Sequence, residues 1–118
     1  MIINTSISFR YVLSYQGAFS LTTLYGIDQP IGVSHADDLI YLFDPVFGIE
    51  LPLPPNDKAL RELMVDAWTN FAINGTPGLS WTPLKANSEN NFLNISGTEP
   101  FMTTSQEIQA RMDLWRHL

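Results

Sequence analysis

The stretch GIDQPIGVSHADDLIYLF, residues 26–43, decides the fold of this chain, because it joins a breaker-rich segment to an apolar one through a single histidine. Glycine, proline and aspartate interrupt residues 18–34, and no hydrophobic period is sustained there, so we predict a connecting loop. That loop leads directly to His35. The position raises the question of whether this histidine serves catalysis, metal binding or only the start of a helix.

A short helix is predicted directly after the histidine. Ser34 followed three residues later by Asp37 is typical of a helix opening, and carboxylates are favourable in a first helical turn. Apolar residues then recur at helical spacing, namely Leu39, Leu42 and Phe43. The Asp44-Pro45 pair stops this pattern, because the residue before a proline disfavours the helical conformation. We therefore expect a helix of about two turns.

Only a few chemical roles are possible for His35. The sequence has one other histidine, His117, and no cysteine, which excludes a site built from several His or Cys ligands. Asp37 and Asp38 could add at most a weak mixed site, and their place in the first turn of a helix explains them better. We therefore predict no metal. Two roles stay open for His35: a loop histidine that donates to a backbone carbonyl, and a proton-transfer group in catalysis.

Three other segments are predicted to be extended. Residues 7–15 alternate between two faces, one of them apolar, so we predict a strand that ends at Gly17. Residues 44–55 contain four prolines and are predicted to be an extended linker. The sequence NFLNIS, residues 91–96, predicts a second short strand.

The clearest period lies in residues 57–74, which predict a long amphipathic helix with one broad apolar stripe. The stripe consists of Leu60, Leu63, Met64, Ala67, Trp68, Phe71 and Ala72. Asn56 or Asp57 can cap the start of this helix, and Gly75 can adopt the left-handed conformation that ends it.

A second amphipathic helix is predicted at the end of the chain. Thr104 with Glu107 matches a capping box. The apolar residues behind it are Ile108, Met112, Trp115 and Leu118. For the tryptophans, Phe71, Met64 and Met112, core packing explains the helical spacing better than an aromatic ligand cage.

These elements do not add up to an independent domain. Two strands do not form a stable sheet, and proline-rich loops of a dozen or more residues are uncommon inside a compact domain. We therefore predict that the chain is part of something larger.

Composition limits the partners and the cellular location that the chain can have. Six basic and twelve acidic residues give a net charge of -6, and the basic residues form no run, so we predict no nucleic-acid or anionic-membrane partner. No apolar run approaches the roughly 18 residues that would span a bilayer, and the first residues lack the basic leader of a secretion signal. Three N-x-[ST] sequons, at Asn4, Asn74 and Asn94, are glycosylation candidates and favour a secretory route.

Several motifs together resemble one family. GVSHADDLIYLF (32–43) resembles the segment around the catalytic histidine of type-B carboxylesterases, the cholinesterase-like branch of the α/β-hydrolases. FRYVLSYQG (9–17) is similar to the strand before that loop, and MVDAWTNFAINGTPG (64–78) with SWTPL (80–84) resembles a late helix and tryptophan turn. RMDLWRHL (111–118) is similar to the closing helix of the family.

The resemblance implies a fold class and an origin for the chain. Residues 1–118 would form the C-terminal part of a type-B carboxylesterase domain, an α/β-hydrolase fragment rather than a complete domain. The fragment would contain one or two strands, a histidine-bearing loop, a short helix and two longer amphipathic helices. Its partner would be the remainder of that α/β-hydrolase domain, and the parent protein would be secreted or enter the secretory pathway.

The resemblance also implies an activity for the parent protein. His35 would be the general base and acid of a Ser-His-Glu/Asp triad that hydrolyses small-molecule carboxylic esters, with no cofactor. Asp38 would help to position the histidine loop, and neither Asp37 nor Asp38 would be the triad acid, because that acid comes from an earlier strand end.

Essential parts of such a site are missing from the sequence. It contains neither the nucleophile elbow G-x-S-x-G nor a glycine-rich oxyanion motif, so we expect the isolated chain to be inactive. Two rival hypotheses stay open: a cholinesterase-like adhesion or binding protein without catalysis, and a short chain that folds alone and has another function.

Overall fold

A computed structural model of the chain describes residues 7–84 and 91–116. Its regular elements are β1 (Tyr11–Leu13), a 3₁₀-helix (Leu21–Tyr25), α1 (Leu39–Leu42), α2 (Pro55–Asn74), β2 (Asn91–Ile95), β3 (Phe101–Thr104) and α3 (Gln106–Arg116). The sequon at Asn4, the histidine His117 and the predicted core residue Leu118 lie outside the described residues, as does the side chain of Met112.

The strands form one mixed sheet in the order β1-β2-β3. β1 runs parallel to β2, with Tyr11 opposite Leu93, and β2 pairs antiparallel with β3. Only Tyr11–Leu13 of the predicted strand 7–15 is regular, although the Leu84 N–H donates to the Ser8 carbonyl oxygen at 2.7 Å. The second strand was predicted correctly, whereas β3 was missed because its last residue, Thr104, was assigned to a helix cap.

The core lies where α1, α2 and β2 meet. Leu60 and Met64 of α2 are fully buried, together with Leu93 and Ile95 of β2. The other buried apolar residues of this cluster are Leu21, Ile40, Tyr41, Val46, Leu53 and Trp81. The predicted stripe of α2 is therefore confirmed in its first half, whereas Phe71 is 45% exposed near the end of the helix.

The limits of α2 agree with the sequence pattern at one end only. Gly75 has φ 74° and its N–H donates to the Phe71 carbonyl oxygen, as predicted for a left-handed C-cap. At the start, the N-cap is Pro54 and no side chain caps the helix, so the prediction of Asn56 or Asp57 was wrong. Pro55 is tolerated there because the first helical N–H has no intrahelical partner.

The short helix α1 is about half the predicted length. Ala36 has φ 69°, and this left-handed residue prevents a helix from starting at Ser34. α1 therefore begins only at Leu39, and Asp38 stands at its N-cap without a side-chain capping bond. Asp37 and Asp38 consequently lie before the helix, not in its first turn as the sequence suggested.

Helix α3 departs most from the expected packing. The Ile108 N–H donates to the Ser105 hydroxyl at 3.2 Å, so Ser105 caps the helix instead of Thr104. Trp115 is 71% exposed, and the prediction that it packs in a core was wrong for the described part of the chain. Among residues 7–84 and 91–116, the backbone of α3 comes close to that of no other helix or strand.

No helix within the described ranges has both the length and the apolar character needed to cross a membrane.

Candidate active site

His35 stands at the tip of a tight turn, residues 34–37, which we call the histidine turn. The Asp37 N–H donates to the Ser34 carbonyl oxygen at 3.2 Å and closes the turn. The left-handed residue Ala36 follows the histidine, which is the pattern of a type II turn. His35 is exposed as a result, and the loop position predicted from the sequence is confirmed.

The histidine faces a broad open depression of about 680 Å³. Tyr11 and Leu13 of β1 line this depression together with the histidine turn and Asp38. Among the described residues, no side chain forms a hydrogen bond with the imidazole of His35. The ring is therefore available on a surface beside the strand that precedes it.

Asp37 is the most heavily bonded carboxylate beside the histidine, and it is only 5% exposed. Its Oδ1 accepts from the Leu21 N–H at 2.7 Å, and its Oδ2 accepts from the Ser34 N–H at 2.9 Å. The Ser20 hydroxyl donates to Oδ2 at 2.8 Å, and the Ser34 hydroxyl lies 3.3 Å from Oδ1. Asp37 therefore joins the histidine turn to the N-terminus of the 3₁₀-helix.

Asp38 has a different partner. The Tyr11 hydroxyl donates to its Oδ2 at 2.6 Å. Burial raises the pKa of Tyr11 above its ordinary value, and the hydrogen bond and the charge of Asp38 raise the pKa further, because each favours the protonated phenol. Asp38 thus links β1 to the start of α1, next to the histidine turn.

A second buried carboxylate fixes the start of the connecting loop. Asp57 of α2 is 2% exposed and accepts from the Tyr15 hydroxyl and the Ala18 N–H, both at 2.8 Å. The hydrogen bond to Asp57 raises the pKa of Tyr15. A Cβ atom added at Gly17 would lie 2.2 Å from the Tyr41 hydroxyl oxygen, so only glycine fits this close approach.

Arg61 of α2 fixes the far end of the same region. Its Nη2 donates to the Ile40 carbonyl oxygen at 2.8 Å, and its Nη1 pairs with Asp44 at 2.6 Å. The guanidinium therefore satisfies a carbonyl at the end of α1 and holds that helix against α2.

Tyr11 lines a second cavity as well as the depression at His35, an aromatic cleft of about 270 Å³ that it shares with Trp68 and Trp81. The rings of Tyr11 and Trp68 meet edge to face with centroids 4.9 Å apart, and Trp81 lies 5.8 Å from each of them. The Trp81 indole N–H donates to the Arg10 carbonyl oxygen at 2.9 Å. These rings pack the back of β1, as predicted for Trp68 and Trp81.

The histidine turn, the strand before it and the helix behind it occur in an order that known proteins share. A family model described as the carboxylesterase family matches residues 4–115. The chain belongs to the carboxylesterase family. Membership confirms the resemblance seen in the sequence and supports ester hydrolysis as the activity of the parent family.

Curated relatives include esterases and lipases. The chain is 35% identical over 74 residues to bile salt-activated lipase of Mus musculus, an alignment that covers 58% of this chain and 12% of the lipase. It is 29% identical over 119 residues to a carboxylic ester hydrolase of Bombus ignitus, covering 96% of the chain and 21% of that protein. Juvenile hormone esterase of Tribolium castaneum is 29% identical over 126 residues, covering 89% of the chain and 21% of the esterase.

A solved structure shows the same fold. The crystal structure of juvenile hormone esterase from Manduca sexta, with OTFP covalently attached, superposes with a TM-score of 0.78 at 20% sequence identity. The match covers 98% of this chain and 23% of that esterase. This carboxylesterase chain therefore has part of an α/β-hydrolase fold. It spans less than a quarter of the length of each of these proteins.

Sequence reasoning found some of the groups in this region and missed others. His35 and Asp38 were selected from the motif, and the structure brings both to the open depression. The bonds of Asp37 to Ser20 and Leu21 span 17 and 16 residues, and no local period reports contacts of that range. The buried role of Asp57 was missed because an acidic residue early in a helix resembles a dipole partner.

Proposed function

We propose that this chain is the C-terminal part of a carboxylesterase domain and that His35 is the general base and acid of its catalytic triad. The observation that carries the proposal is the exposed imidazole at the tip of a turn whose backbone is fixed by a buried carboxylate. A proton-transfer group needs a free ring nitrogen on a well-held support, and His35 has both. The family supplies the reaction class, the hydrolysis of carboxylic esters.

The proposed reaction has two stages. A serine from the rest of the domain attacks the ester carbonyl while His35 takes the hydroxyl proton, and His35 then gives this proton to the departing alcohol. An acyl-enzyme results, and water attacks it with His35 again accepting the proton and returning it to serine. Asp38 acts in this proposal by holding the start of α1 to β1 through Tyr11, next to the histidine turn.

The isolated chain is expected to be inactive. The sequence offers neither a G-x-S-x-G serine nor a glycine-rich oxyanion motif, and the members of a triad act as a unit rather than additively. The 118-residue chain should therefore hydrolyse p-nitrophenyl acetate no faster than buffer, whereas the complete protein, meaning this chain with the rest of its domain, should turn it over.

The decisive variant is His35→Ala in the complete protein. It should lower kcat/KM for p-nitrophenyl acetate by at least about 1,000-fold while circular dichroism shows a folded protein. His117→Ala is the matched control, because it removes the only other histidine of this chain and should keep turnover. Wild-type turnover by His35→Ala would refute the assignment. A complete wild-type protein with no turnover would instead favour the adhesion or binding alternative.

We also propose that the parent protein enters the secretory pathway and carries a glycan at Asn74. Asn74 is exposed at the end of α2, so a glycan attached to its side chain would extend into solvent. Asn94 lies within β2, and its Oδ1 accepts from the Ser14 hydroxyl at 2.5 Å, which disfavours modification. One relative is named venom carboxylesterase-6, from Apis mellifera, and venom is a secreted fluid. Mass spectrometry of secreted protein after glycosidase treatment should find the mark of deglycosylation at Asn74 and not at Asn94.

A further inference from the structure

The backbone of the histidine turn is held in an unfavourable conformation. Ala36 has φ 69°, a region that L-residues other than glycine rarely adopt, because the Cβ atom approaches a neighbouring carbonyl oxygen. Such a residue persists only where surrounding interactions determine its conformation. The group that determines it has to be bonded to both ends of the turn or to the structure around it.

Asp37 is bonded both to the other end of the turn, across His35, and to the structure around the turn. Its backbone N–H donates to the Ser34 carbonyl oxygen, while its carboxylate accepts from the Ser34 N–H, so residues 34 and 37 are joined twice. The same carboxylate accepts from Ser20 and from the Leu21 N–H, which belong to a different part of the chain. The turn is thereby closed and also attached to the 3₁₀-helix.

Asp38 does not provide this constraint. Its carboxylate accepts from the Tyr11 hydroxyl, and that bond fixes α1 to β1 without closing the turn around the histidine. Charge-assisted hydrogen bonds such as those of Asp37 are stronger than neutral ones, and an amide in place of the carboxylate could not accept all of them. The buried carboxylate therefore determines where the imidazole is presented.

We propose that Asp37 is the positioning residue of His35, acting through the backbone of the histidine turn and not as a proton carrier. This inference rests on the proposed function, because positioning matters for turnover only if His35 transfers the proton. It assigns Asp37 a role that the first-turn interpretation of the sequence did not contain. A displaced imidazole would slow the chemical step and leave substrate binding nearly unchanged.

The test compares two buried carboxylates in the complete protein. Asp37→Asn should lower kcat for p-nitrophenyl acetate by about 10- to 100-fold with KM within threefold of wild type, because a small misplacement of a catalytic group costs rate rather than affinity. Asp57→Asn removes an equally buried charge that touches Tyr15 and Ala18 but not the histidine turn, and it should keep kcat within about threefold. This split between kcat and KM distinguishes positioning from general destabilisation.

Each outcome bears on the proposal. An unchanged kcat in Asp37→Asn, or an equal loss of kcat in both variants, would overturn it. If Asp37→Asn does not fold, Ser34→Ala decides, since it removes only the two bonds of the Ser34 hydroxyl, to Asp37 Oδ1 and to the His35 carbonyl oxygen, both at 3.3 Å and both within the histidine turn: a severalfold lower kcat at unchanged KM supports positioning, and wild-type kcat overturns it. His35→Ala separates the two proposals. If His35→Ala retains turnover, both fall; if it is inactive and Asp37→Asn is fully active, only the positioning role falls.

Discussion

The histidine turn and helix α3 are stabilised in opposite ways. The turn is polar, carries an exposed histidine and is fixed by a buried carboxylate bonded to groups within this chain. Helix α3 is amphipathic, yet Leu114 is 63% and Trp115 71% exposed, and its ion pairs, Glu107 with Arg111 and Asp113 with Arg116, lie on the surface. Exposed ion pairs of that kind contribute little to the free energy of unfolding.

The difference shows which parts of the fold this chain determines by itself. A buried carboxylate whose partners all lie in this chain constrains a loop without help from outside the chain, whereas an apolar helix face is stabilised only when something covers it. The chain spans less than a quarter of the relatives and of the structure it matches. The region around His35 is thus formed from contacts within this chain, and among the described elements α3 is the one that most lacks them.

The largest effect on this contrast is expected from Asp57→Ala. The change leaves the Tyr15 hydroxyl and the Ala18 N–H without their buried acceptor, so the opening free energy of amides 15–18 should fall by about 3 kcal/mol. Hydrogen exchange of the 118-residue chain measures this value. Amides of α3 serve as the internal reference and should not change. An equal loss in both regions would show that the two are not independent.

A somewhat smaller effect is expected from Gly17→Ala. The new Cβ would lie 2.2 Å from the Tyr41 hydroxyl oxygen and 2.7 Å from Asp57 Oδ2, an overlap worth about 2 kcal/mol in the opening of the same amides. Gly26→Ala is the control, because nothing lies within 4 Å of its Cβ and only the backbone cost at φ 78°, about 1 kcal/mol, applies. Equal costs would contradict the close approach.

The limits of sequence reasoning follow from the range of each interaction. The helix at residues 57–74 and the strand at residues 91–96 were predicted because period and capping are local properties. The motif also selected His35, since its chemistry is confined to one short stretch. Asp37 was misjudged, because its acceptor role depends on Ser20 and Leu21, which the fold brings close. The exposure of Trp115 could not be predicted, because a period identifies an apolar face but not what covers it.

Alkaline pH should loosen the region around β1 before α3. The pKa values of Tyr11 and Tyr41 are raised, mainly by burial, so folding favours their protonated forms. That stabilisation is fully present below the unfolded tyrosine pKa of about 10 and is lost as pH rises towards the higher folded values. Hydrogen exchange corrected for intrinsic rates should show reduced protection of residues 11–21 above pH 10. Tyr11→Phe should lessen the pH dependence, and α3, which contains no tyrosine, should show none of this origin.

The smallest effect is expected on the α3 side. Trp115→Ala removes an exposed ring and should change the opening free energy of β1 amides by less than about 0.5 kcal/mol in the chain alone. Trp81→Ala, the matched control, removes a ring that is 9% exposed and bonded to the Arg10 carbonyl, and should cost about 3 kcal/mol. A large effect of Trp115→Ala would mean that α3 is covered in solution.

The most direct measurement of the central claim is the rate at which a fluorophosphonate probe labels the complete protein. Covalent capture of a serine requires removal of its proton, so it reports the step assigned to His35 without substrate release or deacylation. Wild-type protein and His117→Ala should be labelled at one probe per molecule at similar rates, and His35→Ala at least about 1,000-fold more slowly. Labelling of folded His35→Ala at the wild-type rate would contradict the assignment of His35 as the base.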